Sequence, residues 1–127
     1  MTAATFDQPH LIERLEQLTD SELDNLDFGV IAMDSSCLAQ RYNALESKMG
    51  GLARETVLGA NVFTNVAPCM NNFMIAQRFE DSLASGKDLD DIIDYVLTLR
   101  MRPSRVKLRL IASQAAALRY ILVHRVI

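Results

Sequence analysis

Two cysteines and two histidines are the residues most open to chemistry in this chain: Cys37, Cys69, His10 and His124. A thiol is a good acceptor for an activated acyl group, because its thiolate is strongly nucleophilic. Cys69 follows Ala67-Pro68, downstream of the apolar, β-branched run that begins at Asn61. No second cysteine stands near enough for a CxxC pair, which argues against a structural zinc site. A Cys–His hydrolase also lacks local support, with His10 in the opening segment and His124 in the final strand. Most free cysteines fill buried space as small hydrophobes, and Cys37 is read that way. Cys69 either does the same or holds something.

The chain that must position these groups has 127 residues, enough for one domain with a single sizeable core. Half its residues are hydrophobic and its net charge is −3, a composition of soluble globular proteins. There is no basic stripe of the kind that binds nucleic acid. No apolar run approaches the roughly 18 residues that cross a bilayer. The opening stretch MTAATFDQPHLIERLEQL lacks the basic segment and apolar core of a signal peptide. A cytoplasmic protein without a structural disulfide is therefore expected.

Hydrophobic periodicity orders the elements. Gln8-Pro9 suits entry into a short amphipathic helix with Leu11, Ile12, Leu15 and Leu18 on one face, and Ser21-Glu22-Leu23 adds a turn. Residues 1–27 are expected to form an N-terminal cap on a core of residues 28–127. Val30 to Met33 read as a buried strand, Asp34-Ser35-Ser36 as its turn and residues 37–42 as the return strand. Short helical pieces follow over 43–48 and 54–58. A longer helix is predicted from Phe73 to Leu83, with Phe73, Ala76, Phe79 and Leu83 on one face and Gly86 as its stop. Residues 89–101 alternate as a strand, Pro103 turns the chain, and 105–110 and 118–126 are the last two strands. Arg105, Lys107 and Arg109 are read as a solvated strand face. The pattern predicts an α+β fold: one antiparallel sheet of about five strands with short helices packed on one face.

That order is the order of a PAS domain. The chain also carries Leu26-Asp27-Phe28-Gly29, Tyr42-Asn43-Ala44, Glu46, Gly59, Asn61, Val66-Ala67-Pro68-Cys69, Ala84-Ser85-Gly86, Met101 and Val123-His124-Arg125-Val126. Together these resemble the photoactive yellow protein family over essentially the whole chain, the combined spacing of Tyr42, Glu46 and Cys69 being the specific part. The resemblance implies a blue-light photoreceptor, not an enzyme. It implies that Cys69 carries 4-hydroxycinnamic (p-coumaric) acid as a thioester. Tyr42 and Glu46 would hydrogen-bond the phenolate, and Glu46 would give up its proton after light-driven trans–cis isomerisation. Ile31, Gly50, Leu52, Val62, Val66, Ala67, Leu97, Leu99 and Met101 would line the pocket. A downstream signalling partner is implied but not named, with no role for nucleic acid or membrane.

The residue types suit those roles. A phenolate in an apolar pocket needs strong donors, and a buried Glu46 can be one only while protonated, which burial near a negative charge favours. The pattern departs from the best-known members at Leu52, where they have arginine, at Gly50, where they have threonine, and at Val62, Leu97 and Leu99, where they have aromatics. Loss of the arginine and threonine is expected to raise the phenol's pKa unless Arg100 supplies a charge. The competing reading is a PAS-like module that binds another ligand or a protein partner, with Cys69 unmodified.

Overall fold

The computed structural model describes residues 4–98 and 103–125. Two short helices, α1 (Leu11–Gln17) and α2 (Asp20–Leu23), precede strands β1 (Gly29–Met33) and β2 (Ala39–Tyr42). Helices α3 (Ala44–Gly50) and α4 (Arg54–Val57), a π turn (Val62–Val66), a 3₁₀ turn (Pro68–Met70) and helix α5 (Ala76–Ser85) then cross over to β3 (Leu89–Leu97), β4 (Ser104–Ala112) and β5 (Arg119–Arg125). The five strands form one antiparallel sheet in the order β2-β1-β5-β4-β3. This is a PAS-like α+β fold.

Local chemistry explains most boundaries. Thr19 and Glu22 form a reciprocal capping box that starts α2. Asp34 Oδ1 accepts from the amides of Ser36 and Leu38, closing the β1–β2 turn. Gly86 ends α5 with φ 69°, a left-handed conformation that glycine adopts without a Cβ penalty. Strand β3 alternates as anticipated, with Ile93 and Tyr95 turned inward while Ile92 and Val96 are about half exposed.

Three expectations are corrected. Helix α5 begins at Ala76; Phe79 is buried and Ala76 packs on the core as anticipated, but Phe73 and Leu83 are exposed, and Ile75 and Ser82 are buried in their stead. The Asn72 side chain turns the chain there by accepting from the amides of Met74 and Ile75. Secondly, helices cover both faces of the sheet. The crossover helices pack on a core that includes Ile31, Ile121 and Val123. The N-terminal helices pack on a second core with Val30, Ala32, Tyr120 and Leu122. Because β1 is covered on both sides, all five of its residues are buried. Leu11, Leu15, Leu23 and Phe28 are almost fully enclosed, each stabilising this layer by roughly 1.5–3 kcal/mol relative to exposure.

The third correction is Arg109, which is not solvated: it is 4% exposed. Its guanidinium grips Asp90 with two bonds of 2.8 Å and donates through Nη1 to the carbonyls of Phe6 and Gln8. The neighbouring Lys107–Asp94 pair stays in solvent. Arg41 does similar work from β2, reaching Asp20, the carbonyls of Leu15 and Leu18, and Tyr120 Oη. Hydrogen bonds to a charged donor contribute about 1–3 kcal/mol each, whereas exposed pairs rarely exceed about 1 kcal/mol. Arg109→Met should therefore lower the urea unfolding free energy by about 1–3 kcal/mol and speed proteolysis near residues 6–10. Lys107→Met should cost under about 1 kcal/mol and leave that cleavage unchanged.

Candidate functional site

The site is built where β2 passes into α3. Asn43 caps α3 and is 1% exposed, so each polar atom of its amide must find a partner. Its Oδ1 accepts from the amides of Val30 (2.9 Å) and Glu46 (3.1 Å). Its Nδ2 donates to the carbonyls of Leu23 (2.9 Å) and Phe28 (3.0 Å). One side chain thus ties the N-terminal layer, β1 and the first turn of α3 together. That turn aims Glu46 inward.

Glu46 is 1% exposed, and a carboxyl so buried needs a partner. Arg125, the last residue of β5, supplies it with a bidentate pair, Nη1 to Oε1 at 2.9 Å and Nη2 to Oε2 at 3.1 Å. Two glycines make the room. A Cβ on Gly29 would collide with Glu46 Oε1. A Cβ on Gly50 would lie 3.0 Å from Glu46 Oε2 and 3.1 Å from Tyr42 Oη, so both oxygens converge on the space that Gly50 leaves. Tyr42 Oη itself donates to the Glu46 carbonyl at 3.2 Å.

Electrostatics follow from this enclosure. Burial pushes the Glu46 carboxyl above the ordinary carboxylate range, while the hydrogen bonds and charge of Arg125 pull it back down. Burial, and after it the neighbouring Glu46 charge, pushes the Tyr42 phenol well above its usual range, with Arg125 opposing.

Cys69 comes from the opposite direction in the chain. Asn61 Oδ1 accepts from the amides of Phe63 and Thr64 and starts the π turn, a widened turn often found at functional sites. The 3₁₀ turn that follows carries Cys69, which is half-buried. Tyr95 Oη donates to the Cys69 carbonyl at 2.6 Å, and Asn72 Nδ2 donates to both that carbonyl and Tyr95 Oη. Strand β3 thereby holds the cysteine's backbone.

Ile31, Tyr42, Val62, Val66, Ala67 and Leu97 belong to one continuous buried cluster, with Cys69 and Leu52 packed at its border. Gly50 is buried beside Tyr42 and Glu46. Leu99, Met101 and Arg100 lie outside the described residues. Cys37 also borders the cluster, but its sulfur faces Arg119 Nη2 at 3.8 Å. An open groove of about 750 Å³ runs along the β3–β4 edge, lined by Tyr95 and Met74 but not by Cys69, Tyr42 or Glu46. The Tyr42–Glu46 end is closed to solvent, unlike the groove.

Arg125, Asn43, Asn72 and Tyr95 are site residues that spacing alone does not reveal. Arg125 stands 79 residues from Glu46, and only the sheet order brings them together. The signal for Asn43 is local: an asparagine just before a helical run is an N-cap signature.

Comparison with known proteins decides the family. No protein-family model matches the chain. Photoactive yellow proteins of Rhodothalassium salexigens and Halochromatium salexigens are 31% and 32% identical to it over 110 residues, 87% of the chain and 87% of each relative. The chain belongs to the photoactive yellow protein family. The photoactive yellow protein domain of the sensor histidine kinase Ppr from Rhodospirillum centenum superposes with a TM-score of 0.81 at 35% identity, covering 89% of this chain and 98% of that one. The PAS domain of the Cronobacter turicensis quorum-sensing receptor RpfR, at 16% identity and a TM-score of 0.62, shares the fold alone; the match covers 81% of this chain and 97% of that domain.

Family membership makes the chain a PAS-domain sensory module of a non-catalytic photoreceptor class. The thiol-hydrolase reading is set aside. Among the described residues no helix is long and apolar enough to cross a membrane, and no group of His, Cys, Asp and Glu could hold a metal ion. The donor set fits a p-coumaric-type chromophore: a thiol at the border of an apolar cluster, and a phenol and a carboxyl converging where a Cβ would otherwise sit.

The raised Glu46 pKa has a sign that can be measured. The folded chain holds the Glu46 proton more tightly than the unfolded chain does, so its contribution to stability is complete below about pH 4.3, the unfolded value. The contribution is lost as pH rises through the folded pKa. Above about pH 4 the unfolding free energy of wild type should thus fall relative to Glu46→Gln as pH rises, as read by urea titrations at each pH. A constant difference across that range would contradict the shift.

Proposed function

We propose that this chain is a blue-light photoreceptor that holds p-coumaric acid as a thioester on Cys69, with Tyr42 and Glu46 hydrogen-bonding its phenolate. One observation carries the reading. In a chain of this family, Tyr42 Oη and Glu46 Oε2 converge at Gly50, within the layer of apolar side chains that Cys69 borders. When bound, the group supplies a light-driven trans–cis isomerisation. The protein supplies the rest.

Cys69, as its thiolate with the proton lost to solvent, would hold the acyl group taken from an activated coumaroyl ester, the S–C bond forming as the bond to the leaving group breaks. The Pro68–Met70 turn, pinned by Tyr95 and Asn72, would hold the Cys69 backbone at the border of the core. Ile31, Val62, Val66, Ala67 and Leu97 exclude water, which strengthens every hydrogen bond inside. Tyr42 turns its one O–H from the Glu46 carbonyl to the phenolate oxygen. Glu46, kept protonated beside an anion, donates the second hydrogen bond and afterwards gives its proton to the phenolate oxygen.

The carboxylate that remains is a new buried charge, and buried charge is what sets a switch of this kind. Residues 1–27 act as a cap held on the 28–127 core by Arg41 and Arg109, and the cap is the layer that loosens to reach a downstream partner.

Protein made with activated p-coumaric acid should turn yellow and gain one coumaroyl group by mass spectrometry. Cys69→Ala should lose both, and Cys37→Ala should keep both. Labelling of both cysteines, or of neither, would leave the module without a covalent chromophore and restore the ligand- or partner-binding alternative.

Glu46→Gln keeps a donor but has no proton to release. It should remain coloured at a shifted wavelength and should lack the light-induced carboxyl band that wild type shows in infrared difference spectra. A band of unchanged size in the variant would remove Glu46 from the proton transfer.

A further inference from the structure

We propose that Arg125 is the built-in counterion of the deprotonated form of Glu46, a positioning residue that competes with the proton for the carboxyl. This rests on the reading of Glu46 as the proton donor. It assigns Arg125 a role that neither its place at the end of a strand nor the pocket lining gives it.

The geometry is specific. Both guanidinium nitrogens that reach Glu46 take separate carboxylate oxygens, an arrangement that suits an anion and wastes a neutral acid. Arg125 alternates with Ile121 and Val123 on β5, which puts it on the same sheet face as the apolar cluster. Gly29 pairs with Val123, and its missing Cβ leaves the space that Glu46 Oε1 occupies next to Arg125. Arg125 is partly shielded, with a side chain 17% exposed against 2% for Glu46. A buried ion pair often adds little to stability over apolar packing, so folding alone gives a poor account of it.

Among the described residues, the titratable or charged groups facing Glu46 are few. Tyr42 approaches from the end of β2 and Arg125 from β5; Gly29 of β1 and Gly50 of α3 bring none. Among the described residues, the balance at Glu46 is thus set by one cation against burial. With the proton on, burial is satisfied and Arg125 loses its partner. With the proton off, the carboxylate is received into a bidentate pair already framed by two glycines.

The test uses the full chain that has never met p-coumaric acid, so its result is independent of attachment at Cys69. Glutamate labelled with carbon-13 at Cδ reports the Glu46 titration by NMR, with Glu46→Gln giving the assignment. Arg125→Gln should raise the Glu46 midpoint by about 1–3 pH units, and Arg125→Lys should restore most of the difference. Midpoints agreeing within a few tenths of a unit would overturn the proposal. Should Arg125→Gln fail to fold, wild type decides: the guanidinium nitrogen-15 signals of Arg125 must titrate with the Glu46 midpoint and lose that titration in Glu46→Gln. Arg125 signals indifferent to Glu46 would overturn it equally.

Discussion

The Glu46–Arg125 pair is the interaction around which the site side of the sheet is arranged. A carboxyl with almost no solvent contact imposes several demands at once. Its helix must start so that the third residue points inward, and the fully bonded Asn43 amide secures that start. Two neighbouring positions must lack side chains, and Gly29 and Gly50 satisfy this. A cation must arrive from elsewhere, and the order β2-β1-β5 places the end of β5 within reach. Gly29 and Gly50 are thus here for room. Neither has the left-handed backbone that would require glycine, unlike Gly59 and Gly86.

Much of the fold is written locally. Alternation over 89–97 and 105–110, apolar runs over 30–33 and a Gly86 stop each follow from one strand or helix period, and each appears in the structure. The failures share a cause. Phe73 and Leu83 fit a helical face by spacing, yet the chain begins the helix only after the Asn72 turn and presents Ile75 and Phe79 to the core. Arg109 fits a solvated strand face by alternation, and it does face away from the cluster around Val123. That side is not solvent, however, because Phe6 and Gln8 fold over it. Strand periodicity tells which residues share a face, not what covers the face.

The candidate site divides in the same way. Cys69, Tyr42 and Glu46 stand out as a motif, and the apolar lining can be named from the resemblance. The partners Arg125 and Tyr95 depend on strand order and register, which no local pattern carries. The missing arginine at position 52 is therefore not the whole account of charge near the candidate site. Leu52 packs at the border of the cluster and brings no charge, but β5 brings a cation to Glu46 from across the sheet. The effect of the Gly50 departure is likewise geometric: a threonine there would press on both Tyr42 Oη and Glu46 Oε2, whose separation from a Cβ is already near the limit of contact.

A sheet covered on both faces has a further consequence for how the site communicates. Adjacent residues on a strand point to opposite sides, so one rigid backbone segment can serve both layers. At the end of β2, Tyr42 joins the site while Arg41 grips the Leu15 and Leu18 carbonyls of the N-terminal layer. At the end of β5, Arg125 pairs with Glu46 while the His124 ring lies 5.3 Å from that of Phe6. Phe6 packs edge-on against Phe28, just before the Gly29 that leaves room for Glu46. Under the proposed proton transfer, a change of charge at Glu46 would act on two strand ends whose neighbouring residues hold the N-terminal layer. That path would be one peptide unit long at each end.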